Sequence, residues 1–120
     1  MDFTKAELYD LINRPGPLWL VAADLGNATL EIANLSGAIL SGANLSADLM
    51  GANLTNAHLD GATLSPANLG NANLPGATLK NANLSKSVLN GANFTGAVYN
   101  SSTKWPAGFN PKAAGAILVP

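Results

Sequence analysis

His58 is the single histidine of the chain, and its nearest acid in sequence is Asp60, two residues on. An imidazole steered by a carboxylate is the usual general base, and Ser36, Ser41, Ser65 or Ser85 would be the nucleophiles for it to activate. The sequence does not assemble such a set. The serines fill turn positions with no His–Asp pair around them, and His58 stands at an outward position where a solvated imidazole suffices. With no cysteine in the chain, disulfides and thiolate metal sites are excluded. No Gly-rich phosphate loop, metal-ligand spacing or basic nucleic-acid patch occurs. The expectation is therefore no catalytic residue, no cofactor-binding residue, no metal ligand, no cofactor and no small-molecule substrate.

Composition narrows the partners further. At 120 residues the chain is long enough for one domain. It is 48% hydrophobic but only 11% charged, so its polar surface must be made of Asn, Ser, Thr and Gly. A net charge of −1 gives no electrostatic reason to bind nucleic acid or an anionic membrane. Polar residues interrupt every apolar run well short of the ~18–20 residues that a membrane span needs. The acidic start at Asp2 and Glu7 lacks the apolar stretch of a secretory signal. A soluble, cytoplasmic protein is expected.

The elements that position these residues follow from one period. Leucine recurs every five residues from Leu20 to Leu45 and again from Leu49 to Leu89, with Phe94 and Tyr99 in the same slot. Two residues before each centre stands a small residue, as at Ala33, Ala52, Ala72 and Ala92, with Ser87 the near-miss. Asn, Asp or Thr mostly sits between them. A step of five matches neither a helix nor a strand, since on a helix it rotates the face by roughly 140°. It suits a short extended side followed by a turn, with Leu and Ala facing a common axis. Gly37, Gly42, Gly51, Gly61, Gly76, Gly91 and Gly96 fall at the corners, where tight turns demand positive φ. A narrow coil already filled by leucines leaves room for only a methyl group at its second inward position. Coils then stack about 4.8 Å apart, each burying the leucines of the next.

The tandem Ala-(Asp/Asn)-Leu-x-x units, from Leu18 to Ser101, closely resemble the pentapeptide-repeat family. That resemblance implies an all-β, right-handed quadrilateral β-helix with four units per coil. The centres from Leu20 to Tyr99 would then make about four coils. Counting sides in this way puts Asn34, Asn53, Asn73 and Asn93 on one face, where their stacked amides could bond as a ladder. One unit is short: Ser46-Ala47-Asp48-Leu49 brings the centre back after four residues. Either the turn tightens and the coil continues or the solenoid bends there, and the immediate return of Ala47 and Leu49 to the inward pattern favours continuation.

An open coil end needs a lid. Thr4-Lys5-Ala6-Glu7 reads as a capping box, with Leu8, Leu11 and Ile12 on one helical face, before Arg14-Pro15-Gly16-Pro17 stops the helix. Residues 1–17 are thus expected to be an N-terminal α-helical cap and turn, 18–101 the solenoid, and 102–120 a C-terminal cap and tail. Trp105-Pro106-Ala107-Gly108-Phe109 is similar to the W-P-x-G-F segment that follows the repeats in cyanobacterial members of the family. Its aromatics are expected to close the last coil.

These features point to a non-enzymatic protein-binding or scaffold solenoid with an unidentified protein partner. The alternative is a DNA-mimicking inhibitor of a type II topoisomerase, as some family members are. Mimicry needs a strongly negative surface, whereas the coils carry only Asp24, Glu31, Asp48 and Asp60, followed by Lys80 and Lys86. A surface-binding array is disfavoured because regular Thr rows are missing. The acids all precede Gly61 and the lysines Lys80, Lys86, Lys104 and Lys112 all follow it, so weak head-to-tail self-association is also expected.

Overall fold

The computed structural model describes residues 4–120, with 38 × 22 × 21 Å extents. The first three residues, and the side chain of Ile12 expected on the helix's apolar face, lie outside the described residues. Helix α1 spans Lys5–Ile12. The Glu7 N–H donates to Thr4 Oγ1 at 3.1 Å, and the Thr4 N–H donates to Glu7 Oε1 at 3.0 Å, so two otherwise orphaned N–H groups are satisfied. Leu8 is buried and joins the apolar cluster of the coils, while Leu11 packs against it partly exposed.

From Trp19 onward the chain winds through single-residue parallel bridges. They fall into four columns, and these are the four faces of a coil. The first face carries Trp19, Ile39, His58, Thr78, Val98 and Ile117; the second Asp24, Asn44, Thr63, Asn83 and Lys104. The third carries Thr29, Asp48, Asn68 and Val88, and the fourth Asn34, Asn53, Asn73 and Asn93. Partners are typically 20 residues apart, as in Asn53↔Asn73, and 19 apart where the short unit intervenes, as in Asn34↔Asn53. Asp48 bridges to Thr29 on one side and to Asn68 on the other, so the coil continues through the short unit.

Every backbone N–H of the unit Asn53-Leu54-Thr55-Asn56-Ala57 has an acceptor. Asn53 donates to Ala33 O of the preceding coil at 2.9 Å; Leu54 and Asn56 donate to Asn73 O and Pro75 O of the next at 2.7 and 2.9 Å. The Ala57 N–H closes the turn on Leu54 O at 3.0 Å. The remaining N–H, on Thr55, is taken by the side chain of Asn53, whose Oδ1 accepts it at 3.1 Å. The same side-chain bond recurs from Asp24, Asn34, Asn44, Asp48, Asn68, Asn83 and Asn93 to the N–H two residues on. This Asx turn is why the middle of the unit is so often Asn or Asp.

That bond corrects the amide ladder. Asn34, Asn53, Asn73 and Asn93 do share the fourth face, but Asn34, Asn53 and Asn93 direct their Oδ1 to their own chain at 3.2, 3.1 and 3.0 Å. Asn73 is followed at that place by Pro75, which has no N–H. No amide–amide bond joins the four among the described residues. At Asn34, Asn53 and Asn93 local geometry prevails because the N–H two residues on is within reach.

Most turns have the third residue at positive φ, from 68° to 75° at the seven expected corner glycines. Asn27, Asn56, Asn71 and Asn81 occupy the same place, as do two residues ill-suited to it, Ala22 at 56° and Ile32 at 52°. At Gly76 and Gly91 a second reason excludes a side chain: an added Cβ would lie 2.2 Å from Asn56 Oδ1 or Asn71 Oδ1 of the coil before.

The interior is a column of leucines separated by alanines, and from Ala38 to Leu45 both kinds are wholly inaccessible. Past Tyr99 the chain takes six residues to reach its next centre, Trp105, with Thr103 in the alanine slot. Thr103 Oγ1 donates to Leu79 O at 2.8 Å, and Asn83↔Lys104 extends the second face. Trp105 lies edge-on to Phe94 at 5.3 Å and to Tyr99 at 5.4 Å, and stacks with Phe109 at 5.1 Å. The rings therefore close the last coil. The chain then returns, and strand β1 (Val98–Tyr99) pairs in parallel with strand β2 (Ile117–Leu118).

Leu69→Ala should destabilise by ~2–5 kcal/mol, because truncating a fully buried Leu leaves a cavity. Asn68→Ala removes only the bond to the Gly70 N–H and should cost ~0.5–1.5 kcal/mol. Denaturant unfolding of the two variants separates them. Ala72→Leu should be overpacked by ~1–3 kcal/mol. At the strained corner, Ile32→Asn should raise the melting temperature, since Ile32 is 83% exposed and a β-branched residue in the left-handed region costs ~1–2 kcal/mol.

Candidate functional site

The fold spreads the reactive residues apart. His58 is exposed on the first face between Ile39 and Thr78. Asp60 turns its Oδ1 to the Lys80 N–H at 2.9 Å, so that oxygen is engaged with the backbone of the next coil. No cluster of three metal-ligating residues forms among the described residues.

What the structure does bring together is a corner. Between the second and third faces the turns stack as Gly26-Asn27, the short unit at Ser46, Ser65-Pro66 with a cis peptide, and Ser85-Lys86. None of the last three uses a positive φ. Their hydroxyls form a column: Ser46 Oγ donates to Ser65 O at 3.2 Å, Ser65 Oγ lies 3.3 Å from Ser85 Oγ, and Ser65 Oγ accepts the Lys86 N–H at 3.0 Å. Ser87, the near-miss of the alanine register, is buried with its hydroxyl donating to Leu64 O. The residue missing from the short unit leaves an open groove of about 480 Å³, floored by Ala28, Ala47 and Ala67 and flanked by Pro66, Asp48 and Lys86. The serines that looked like turn residues in sequence are turn residues, and the groove offers one acid and one cation with no nucleophile–base pair.

On the third face the Glu31 carboxyl is raised above its usual 4.5 by its hydrogen bond to Asp48 and by that neighbour's charge. Glu7, in contrast, is held below it by accepting the Thr4 N–H and hydroxyl.

The outward residues are the larger finding. Along the sequence they look like a mixture of Asn, Thr, Asp, Val and His; sorted by bridge partner they segregate. The fourth face is all Asn, whereas the first presents Trp19, Ile39, His58, Thr78, Val98 and Ile117. Thr78 buries its Oγ1 with no hydrogen-bond partner, so carbon is what it exposes. None of these six side chains supplies the Asx bond of the other faces. The signal was available in the sequence as an interval of 19–20 residues between apolar middle positions, and a reading in fives does not reveal it.

The family model for pentapeptide repeats matches residues 20–46, 47–67 and 64–98, in eight copies. The chain belongs to the pentapeptide repeat family. Its solved relatives include alr5209, a pentapeptide repeat protein from Nostoc PCC 7120, 38% identical over 95% of this chain and 94% of that one, with a TM-score of 0.89. Another is Rfr23, a pentapeptide repeat protein from the cyanobacterium Cyanothece 51142, 37% identical over 78% of this chain and 67% of that one, with a TM-score of 0.54. Comparison with curated proteins finds no match. As a pentapeptide repeat protein the chain is a right-handed β-helix with cyanobacterial relatives. Among the described residues no helix is long and apolar enough to cross a membrane.

Glu31→Gln should raise the melting temperature at pH 7. A carboxyl whose pKa is raised by folding opposes folding while ionised, and the opposition fades as pH falls through that raised value. The advantage of the glutamine should therefore shrink in melts taken progressively closer to pH 4.5, the ordinary glutamate value.

Proposed function

We propose that this pentapeptide repeat protein, a rod of about four coils lidded by α1 and by the Trp105–Phe109 stack, is a non-enzymatic protein-binding scaffold. The observation that carries this reading is the segregation of outward residues by face. A rigid ladder holds one apolar face and one amide face in fixed relation, which suits recognition of another surface. The apolar face forgoes the Asx bond at each level, so its residues bring no local benefit to the coil. Exposed apolar surface organised in one column is the usual mark of an interaction site.

A DNA-mimicking role against a topoisomerase draws less support. The acids of the coils, Asp24, Glu31, Asp48 and Asp60, all lie in one half of the rod, and the lysines of the coils follow in the other, so no continuous negative surface runs along it. In a gyrase supercoiling assay the protein should leave the enzyme uninhibited, and inhibition at stoichiometric amounts would reverse the order of the two readings. Used as bait in an extract of its source cells, the protein should retain a partner that Ile39→Glu on the first face releases. Asn73→Ala on the fourth face should still retain it.

A further inference from the structure

We propose that the first face is a self-recognition surface on which a second copy of this chain packs side by side and antiparallel. The inference rests on the scaffold reading and deepens it by naming one partner. Its strongest support is that the face is complementary to itself when reversed end for end.

Six levels lie along the face. Their outward residues are Trp19, Ile39, His58, Thr78, Val98 and Ile117. The residues that begin the adjoining corner are Val21, Ser41, Asp60, Lys80, Asn100 and Val119. A two-fold axis crossing the face between the third and fourth levels sets each column against itself in reverse. Trp19 then meets Ile117 of the other copy, Ile39 meets Val98, and His58 meets Thr78. In the second column Val21 meets Val119, Ser41 meets Asn100, and Asp60 meets Lys80. Apolar residues fall on apolar, amide on hydroxyl, and acid on base, twice over by symmetry. Within the described residues the Lys80 side chain makes no ion pair, so it is available for this contact.

Charge selects the same orientation over the parallel one. The four acids from Asp24 to Asp60 and the four lysines from Lys80 to Lys112 occupy opposite halves of the rod. Antiparallel packing lays each acidic half along a basic half, whereas a parallel pair would set like against like. The contact is a small one. Six levels at a ~4.8 Å spacing span about 24 Å of a rod 21 Å across, roughly 500 Å² per copy, the size of a weak interface. Trp19, 76% exposed, and Ile117, 51% exposed, would be covered at both ends of that area.

Sedimentation across micromolar to sub-millimolar concentration should show a monomer–dimer equilibrium with no larger species. Ile39→Glu should weaken it by about tenfold or more, since a charge would be buried opposite Val98. Because position 39 points outward, the melting temperature of the variant monomer should hardly move. Asn53→Glu, which points away from the contact on the adjoining fourth face, should leave the dimer intact. Asp60→Lys and Lys80→Asp should each weaken the dimer, and combining them should restore it, with thermal melts checking that each variant folds. The cysteine-free chain permits a register test. Ile39→Cys and Val98→Cys proteins should form disulfide-linked pairs when mixed and oxidised, but not when either is alone. A monomer at every concentration would overturn the proposal. Salt-sensitive growth into open chains would overturn it too and point to head-to-tail contact. Efficient cross-linking of Ile39→Cys to itself would likewise exclude the antiparallel register. A strictly monomeric rod that still captures another protein would end the pairing while leaving the scaffold reading intact.

Discussion

Hydrogen bonds between successive coils decide where every other group in this molecule can go. In a unit such as Asn53–Ala57, two N–H groups reach one neighbouring coil, one reaches the other, and one closes the turn. Five residues are just enough to make one side and one corner with those bonds in place. Once the ladder holds the coils a strand spacing apart, the interior is so narrow that one large and one small side chain per unit fill it. Leu and Ala follow from that width. The Asn or Asp between them follows from the fifth N–H, which only a short side-chain acceptor can reach.

Irregular units are tolerated where the ladder can absorb them. The short unit, the Ser65–Pro66 turn and the Ser85–Lys86 turn all stack at the corner between the second and third faces. Each alters a turn without moving the middle residue of the next side, so Asp48, Asn68 and Val88 stay in one column. The lost regularity is compensated by hydroxyls, which bond from Ser46 to the Ser65 carbonyl and between Ser65 and Ser85. Stacking these three departures at one corner, with the six-residue unit past Tyr99 set at the last coil, keeps the interior beneath filled.

The ends and the first face obey a different economy. A coil with no neighbour leaves strand edges and leucines open, so aromatic rings and the returning β2 cover the last one. The C-terminal tail is therefore part of the ladder, with Ile117 extending the first face. On that face Asx acceptors give way to Trp, Ile, Val, His and Thr at all six levels. Thr78 even buries its hydroxyl unpaired. A face that forgoes the side-chain Asx bond at every level while exposing carbon is organised for what lies outside it.

The coil, its inward Leu and Ala, its corner glycines and the capping box at Thr4 were all legible in the sequence. Each depends on neighbours within about five residues, and a period displays such neighbours directly. The fourth-face Asn column was legible too, by counting sides and treating the short unit as one. The amide ladder was not, because whether an Asn bonds across coils or to its own backbone is a contest of distances that sequence does not contain. Nor could a reading in fives show the apolar first face, since its members lie 19 or 20 residues apart and touch only after the chain has wound round. The same holds for the serine corner, Thr103 in the alanine slot and the returning strand. The sequence by itself determined the local unit; the tertiary structure decided which units lie above one another, because that is set by the pitch of the coil and by nothing within a single repeat.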